Sequence, residues 1–163
     1  MVVALTSAAH SNLALQFYLR SVHKTYVAVV RGVPPRQEGE LTGRLVRDPR
    51  NRQRFLCAPD TSAAGKPMYT RYRLLADLPG QAASLLMLYP RTGRTHQLRV
   101  QLASIGCPIL GDSVYGGPPA ERMMLHALEL EFTSPESGEH LRFRAPPPHA
   151  LLLPPPGTPA LPG

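Results

Sequence analysis

Short stretches in which apolar and polar residues alternate, separated by turns rich in glycine and proline, constrain the fold of this chain most strongly. A period of two places successive side chains on opposite faces of a β-strand. Residues 24–30 are apolar on both faces, which is typical of a central strand in a sheet. Further strands are predicted at residues 40–46, 55–58, 68–75 and 83–89, and residues 128–132 and 141–144 are predicted to pair as a hairpin.

A first helix is predicted near the start of the chain. Thr6 or Ser7 can cap its beginning, and the helix is expected to end near Arg20 or Ser21. Four apolar side chains are predicted to face the core, namely Leu13, Leu15, Phe17 and Leu19.

A second helix of about three turns is predicted after Pro90, from apolar residues at positions i, i+4 and i+7. These residues are Leu98, Leu102 and Ile105, with Thr95 as the predicted cap. Gly106 stands where glycine commonly ends a helix.

Many short strands and two main helices indicate an α+β domain built on a mixed, mostly antiparallel sheet. The domain is assigned to residues 1–148. Residues 146–163 hold eight of the nineteen prolines, so they are not expected to form regular structure. Residues 149–163 are accordingly predicted to be a disordered, proline-rich tail.

Arginine supplies most of the positive charge. The 163 residues carry 18 basic and 11 acidic side chains, a net charge of +7, and the only lysines are Lys24 and Lys66. Because guanidinium groups grip phosphates with paired hydrogen bonds, this bias favours a nucleic-acid partner. The codon bias of a GC-rich genome explains the same composition, and composition alone does not separate the two.

Five arginines fall within residues 44–54, opposed only by Asp48. The segment is predicted to be a loop between two strands, either a solvated turn or a surface that contacts phosphates. Arg50, Arg52 and Arg54 are the candidate RNA-binding residues in it.

Several classes of protein lack their sequence signals here. Cys57 and Cys107 lie fifty residues apart with no Cys/His spacing typical of zinc, so no metal site is predicted. The sequence has no nucleotide-binding glycine loop and no apolar run of about 18 residues, so neither a cofactor nor a membrane partner is predicted. Without a signal peptide, an intracellular location is expected, most simply the cytoplasm, with an organelle such as the mitochondrion as the alternative.

The densest group of polar residues lies where a strand leads through a glycine turn into the second helix. Arg91, Arg94, His96 and Arg99 fall in this stretch, the last three on the first two turns of the predicted helix. Free N–H groups at a helix start favour an anion, and arginines add to that preference. A phosphate or carboxylate partner is therefore predicted; ordinary capping and solvation are the alternative.

Three motifs in this chain resemble those of the RluA-type pseudouridine synthases, in the same order. The longest is Arg-Thr-Gly-Arg-Thr-His-Gln-Leu-Arg at 91–99, continued by Leu-Ala-Ser-Ile-Gly-Cys-Pro-Ile-Leu-Gly-Asp at 102–112 and Tyr115. The others are Lys-Thr-Tyr-Val-Ala-Val-Val-Arg-Gly at 24–32 and Leu-His-Ala-Leu-Glu-Leu-Glu-Phe at 125–132. The resemblance covers roughly residues 2–148.

The resemblance implies an isomerase that converts uridine in structured RNA, ribosomal or transfer RNA, to its C5-linked isomer without a cofactor. Tyr26 matches the tyrosine that packs on the target base and lies near the proton that C5 loses. Arg99 matches the arginine that pairs with the catalytic aspartate. The residue types suit these roles, because a phenol presents a flat face and a guanidinium offers two donors to a carboxylate.

The catalytic aspartate of the family has no match in this chain. In the family it lies in a His-Arg-Leu-Asp-x-x-Thr-Ser-Gly segment just before the strand and helix that residues 2–17 resemble. The four aspartates present, Asp48, Asp60, Asp77 and Asp112, do not follow His-Arg-Leu. The chain is thus expected to be the C-terminal half of the catalytic domain, truncated before the nucleophile and inactive as given.

One smaller departure is Gln101, where the family often has histidine; we expect it to affect RNA contacts more than the chemistry.

Two other functions are compatible with the sequence. The main alternative is a catalytically inactive RNA-binding module that retains the basic surface. A weaker alternative is a protein-interaction module whose proline-rich tail is the ligand. Nothing in the sequence indicates the oligomeric state.

Overall fold

Seven strands pair into one antiparallel sheet, in the order β3-β2-β4-β5-β1-β6-β7. The structure, a computed structural model, describes residues 2–78, 80 and 82–148. The elements are α1 (Ser7–Leu19), β1 (His23–Arg31), β2 (Glu38–Arg47), β3 (Phe55–Ala58), β4 (Lys66–Leu78), β5 (Ala83–Pro90), α2 (Gln97–Ser104), a 3-10 turn (Ser113–Tyr115), β6 (Leu125–Thr133) and β7 (His140–Arg144). The predicted α+β class, the strands predicted from residue 24 onward and the hairpin are confirmed. Residues 2–5, which the sequence suggested as the end of a buried strand, form no strand.

Strand β1 lies inside the sheet, between β5 and β6, as its two apolar faces predict. Val27, Ala28 and Val30 are completely buried. The register of β1 against β6 shifts between Thr25 and Tyr26. Irregularities of this kind bend a strand and re-aim its side chains, and here the shift falls beside the tyrosine singled out from the sequence.

Helix α1 begins and ends where the sequence predicts, but its core face was predicted wrongly. The Thr6 side chain accepts a hydrogen bond from the N–H of Ala9 at 3.2 Å, so Thr6 is the cap. Leu13 is buried, whereas three other apolar side chains are at least 45% exposed, namely Leu15, Phe17 and Leu19. At about 100° per residue, Leu15 and Leu19 project away from the face that carries Leu13. Phe17 shares the face of Leu13 but lines a surface groove instead of the core.

Helix α2 is shorter than predicted, with eight residues and about two turns. The predicted cap Thr95 is wrong, because His96 occupies the cap position and makes no side-chain capping bond there. His96 has φ 56°, a left-handed conformation that cannot continue a right-handed helix. Arg94 and His96 consequently precede α2, and only Arg99 of the three predicted residues lies on it.

The main core lies between the sheet and α2. Leu98 and Leu102 of the helix pack with buried side chains of the central strands, among them Leu86 and Leu88 of β5. Residues 145–148 have no regular structure, and the predicted tail at 149–163 lies outside the described residues. No helix among the described residues is long and apolar enough to cross a membrane.

Candidate active site

A cleft of about 310 Å³ lies where β1 meets the loop between β5 and α2. We call it the cleft; Lys24, Tyr26, Arg94, His96 and Arg99 are the polar and charged side chains central to it. The structure therefore brings together four of the predicted site residues, two as catalytic and two as RNA-binding candidates. No aspartate or glutamate is among its lining residues in the described part of the chain.

Tyr26 presents a half-buried phenol to the cleft. Burial raises the pKa of Tyr26 above its ordinary value, because the charged phenolate is poorly solvated there. The hydroxyl is accordingly neutral at physiological pH. A neutral aromatic ring in a cleft of this size is suited to stacking on a planar base.

Arg99 is held by a two-point ion pair with Asp112. Its Nε donates to Oδ2 at 2.7 Å and its Nη2 donates to Oδ1 at 2.8 Å. The Asp112 side chain is fully buried, whereas that of Arg99 is 16% exposed. Nη1 makes no hydrogen bond to another described residue and is left to donate to a further acceptor.

The pKa values of this pair keep both groups charged. The hydrogen bonds that Arg99 donates to Asp112 raise the pKa of Arg99. Burial raises the pKa of Asp112, but the hydrogen bonds and charge of Arg99 and the backbone N–H groups of Val114 and Tyr115 outweigh it, so the pKa lies below its ordinary value. Asp112 is thus a buried, ionised anchor with no exposed oxygen. Sequence reasoning treated it only as part of a turn.

His96 is fixed by two aromatic neighbours. Its Nδ1 lies 3.1 Å from the hydroxyl of Tyr115, and its ring meets Phe55 and Tyr115 edge to face, with centroids 6.0 and 5.7 Å away. Burial and the positive charge of Arg99 lower the pKa of His96, so the imidazole is neutral at physiological pH. It contributes shape and hydrogen bonding to the cleft rather than charge.

The ring of Tyr115 contacts two guanidinium groups. The guanidinium carbons of Arg99 and Arg54 lie 4.9 and 5.6 Å from its ring centroid. Its hydroxyl accepts the N–H of Phe55 at 3.1 Å. Tyr115 belongs to the motif that continues from residue 102. Its place in that motif could have indicated a supporting role, but no role was predicted for it from the sequence.

A buried chain of hydrogen bonds holds the cleft loop onto the sheet. Gln97 Oε1 accepts from the Thr92 hydroxyl at 2.7 Å and from the Arg94 N–H at 3.0 Å, and Gln97 Nε2 donates to Thr70 at 3.0 Å. Thr70 donates in turn to Gln101 at 2.7 Å. Because buried polar groups are costly to leave unpaired, this chain fixes the loop that carries Arg94 and His96.

The expectation that Gln101 affects RNA contacts is wrong. Gln101 is 1% exposed, and its Nε2 donates to the carbonyl oxygen of Leu41 at 2.7 Å. Its side chain joins α2 to β2 and β4 within the core, where RNA has no access.

Lys24 is a cleft residue that sequence reasoning did not select, although it opens the Lys-x-Tyr motif. It is half-buried, and burial lowers the pKa of its ammonium group. Its Nζ lies 5.9 Å from the ring centroid of Phe17. Lys24 is therefore a cation close to Tyr26.

The remaining predicted RNA-binding residues lie outside the cleft. Arg50 and Arg52 are exposed in the loop between β2 and β3. Arg54 is half-buried against the ring of Tyr115, and its buried Nε makes no hydrogen bond within the described chain. Arg91 is exposed, with its guanidinium 5.1 Å from the ring centroid of Tyr69. Among the residues that the structure describes, no group of three His, Cys, Asp or Glu side chains could hold a metal ion.

The antiparallel sheet thus brings the ring of Tyr26 and the carboxylate-anchored guanidinium of Arg99 into one cleft. Comparison with known proteins identifies the class. A family model described as RNA pseudouridylate synthase matches residues 1–104, and the chain belongs to this family.

Named relatives agree with that assignment. The chain is 40% identical, over 90% of its length, to the dual-specificity RNA pseudouridine synthase RluA of Escherichia coli, of which it covers 67%. It is 32% identical, over 93% of its length, to RNA pseudouridine synthase 2, chloroplastic, of Arabidopsis thaliana, of which it covers 41%. The solved structure of human RNA pseudouridylate synthase domain containing 1 superposes with a TM-score of 0.77 at 30% identity, covering 91% of this chain and 65% of that one. The chain thus spans about two fifths to two thirds of the proteins it resembles.

Proposed function

We propose that this chain carries the base-binding part of an RNA pseudouridine synthase that isomerises uridine in ribosomal or transfer RNA without a cofactor. The observation that carries the proposal is that Tyr26 and Arg99, which lie 73 positions apart in sequence, line one cleft. The cations Lys24 and Arg94 line the same cleft, and a phosphate-bearing substrate complements them.

Each side chain has a role that follows from its geometry. Tyr26 stacks on the uracil with its neutral hydroxyl near C5. An aspartate of the family's His-Arg-Leu-Asp segment, paired with Nη1 of Arg99, attacks the ribose as the N1 glycosidic bond breaks. The freed uracil turns, and its C5 bonds to C1′ of the ribose as the carboxylate leaves that carbon. The C5 proton then passes to solvent, which restores the uracil ring.

We further propose that the 163-residue chain by itself lacks the nucleophile. No carboxylate lines the described cleft, and both oxygens of Asp112 are occupied by Arg99, with Oδ1 also accepting from the N–H of Tyr115 at 3.2 Å. Asp48 is buried and accepts from the N–H of Arg50 at 2.9 Å. Asp60 and Asp77 do not line the cleft. The same observations favour the second candidate, an RNA-binding module without catalytic activity.

We place the protein inside the cell, in the cytoplasm or an organelle. The name of the Arabidopsis relative, which describes that protein as chloroplastic, supports the organelle as one of the two settings.

Binding to structured RNA should depend steeply on salt, because the net charge of +7 and the exposed loop arginines favour contacts to phosphates. Arg50→Gln with Arg52→Gln should weaken binding and reduce the slope of log affinity against log salt by about 1.4 to 1.8, from roughly 0.7 to 0.9 per phosphate contact. Fluorescence anisotropy over a salt series measures both quantities.

The matched control is Arg20→Gln with Arg36→Gln, which removes the same charge from two exposed positions outside the loop. An equal loss of slope in this control would show that only net charge matters. An RNA affinity that does not change with salt would contradict the phosphate-based account.

Stacking on Tyr26 is tested by comparing two substitutions at this position. Tyr26→Phe keeps the ring, so the affinity of the chain for oligouridylate should change less than about twofold. Tyr26→Ala removes the ring and should weaken binding roughly tenfold, since a stacked base contributes about 1 to 3 kcal/mol. If both variants bind like the parent chain, the base does not stack on Tyr26.

A further inference from the structure

A second, basic groove of about 620 Å³ lies beside the cleft. Its cations are Arg47 on β2, Lys66 at the start of β4 and Arg94 in the cleft loop, and Phe55 provides an apolar wall. No carboxylate is among its lining residues in the described chain. We call this space the flanking groove.

The cleft and the flanking groove share a wall. Gly93 and Arg94 line both spaces. The ammonium of Lys24 reaches this wall, because a methyl carbon added at Gly93 would lie 3.5 Å from Nζ of Lys24. A polymer with one unit in the cleft can therefore pass over residues 93–94 into the flanking groove without leaving the surface.

Two of the groove's cations are available to an anion. Lys66 is exposed, and its ammonium makes no hydrogen bond or ion pair with another described residue. Within the described chain, the Arg94 side chain makes one hydrogen bond, from Nε to the carbonyl oxygen of Pro67 at 3.3 Å. Both of its terminal nitrogens therefore remain available to an anion. Arg47 is less available, because it already has partners within the chain. Its Nη1 donates to the carbonyl oxygen of Arg52 at 3.1 Å, and its guanidinium carbon lies 5.2 Å from the ring centroid of Phe55.

We propose that the flanking groove binds the RNA backbone next to the nucleotide whose base occupies the cleft, with Lys66 and Arg94 contacting its phosphates. The inference rests on the proposed function and adds the path of the strand. Cations without a carboxylate partner favour a polyanion, and the shared wall makes the two spaces neighbours along one strand.

The sequence supplies its own reporters, because its only two lysines mark the two spaces: Lys24 lies in the cleft and Lys66 in the flanking groove. The test acetylates the chain with an amine-reactive ester, with and without octauridylate, and follows each lysine by peptide mass spectrometry. A strand that occupies both spaces should slow acetylation at both lysines. Uridine monophosphate at the same occupancy of the cleft should protect Lys24 and leave Lys66 reactive.

The outcomes separate this inference from the proposed function. Protection of Lys24 alone by octauridylate would overturn the flanking groove while leaving base binding in place. Protection of Lys66 alone would overturn the proposed path, since RNA would then bind the groove independently of the cleft. Protection of neither lysine would overturn the proposed function itself.

A substitution pair provides a second measurement. Lys66→Gln should weaken octauridylate binding several-fold and lower the salt slope by about 0.7, the value for one phosphate contact on a single strand. Arg36→Gln removes the same charge from an exposed position outside both spaces and should have a smaller effect. Equal effects of the two substitutions would reject a specific phosphate contact at Lys66.

Discussion

Incubated with RNA from a strain that lacks its own synthases, the 163-residue chain should form no pseudouridine above background. In the part of the chain that the structure describes, the cleft contains the ring of Tyr26 and the anchored guanidinium of Arg99 but no carboxylate in its lining. A guanidinium is not a nucleophile, and burial raises the pKa of Tyr26 further from the range in which a phenolate attacks at neutral pH. Loss of a catalytic group of this kind typically lowers the rate by several powers of ten, roughly 10⁴ to 10⁶.

The matching experiment extends the chain upstream with the missing half of the catalytic domain, including the family's His-Arg-Leu-Asp-x-x-Thr-Ser-Gly segment. Modified uridines should then appear, and replacing the aspartate of that segment by asparagine should abolish them. Mapping of modified positions in total RNA measures both forms in parallel. Pseudouridine made by the short form would mean that one of its own aspartates reaches the ribose, and the account of the missing nucleophile would have to be abandoned.

Most of the sheet could be predicted from the sequence, because the alternation of apolar and polar residues indicates which face of a strand is buried. The apolar residues of β1 on both faces placed it inside the sheet, where it pairs with β5 and β6. The face of α1 was predicted less well, because Leu15 and Leu19 are apolar without being buried, at 54% and 64% exposure. An apolar side chain indicates a core position only when another element covers it, and the pattern of one segment does not contain its neighbours.

The start of α2 shows a different limit. Thr95 is a good capping residue by type, yet His96 adopts a left-handed conformation and Gln97 supplies the hydrogen bond to the loop instead. Contacts of Gln97 with β4, far away in sequence, decide this geometry. Local propensity cannot anticipate them.

The site could be predicted in part. Tyr26 and Arg99 were selected through the resemblance to a family, and the cleft contains both. The partner of Arg99 was not foreseen, because its ion pair joins a helix to a turn 13 residues later and both positions have other plausible functions. Asp112 differs from an ordinary turn residue in that its side chain is buried against Arg99. This burial depends on how the elements pack, so it could not be predicted from the local sequence.

The ion pair changes how a substitution of Arg99 must be interpreted. Arg99→Gln leaves the Asp112 carboxylate fully buried without its cation, so the free energy of unfolding should fall by about 3 kcal/mol, at the low end for a broken buried pair because Arg99 keeps some exposure. In a chain that carries the family's aspartate segment, turnover should also fall at least roughly a hundredfold, since the nucleophile loses a charged donor. A measurement of turnover alone therefore does not distinguish a folding defect from a catalytic defect.

The double variant Arg99→Gln with Asp112→Asn separates the two effects, because it removes both charges and leaves two neutral amides in place of the ion pair. Urea denaturation should show that it regains most of the stability lost by Arg99→Gln, while its turnover stays as low. Asp112→Asn alone keeps the guanidinium and should retain more turnover than either variant without it, even where its stability is reduced. Recovery of turnover together with stability in the double variant would show that Arg99 acts only in holding the fold, and its pairing with the catalytic aspartate would be rejected.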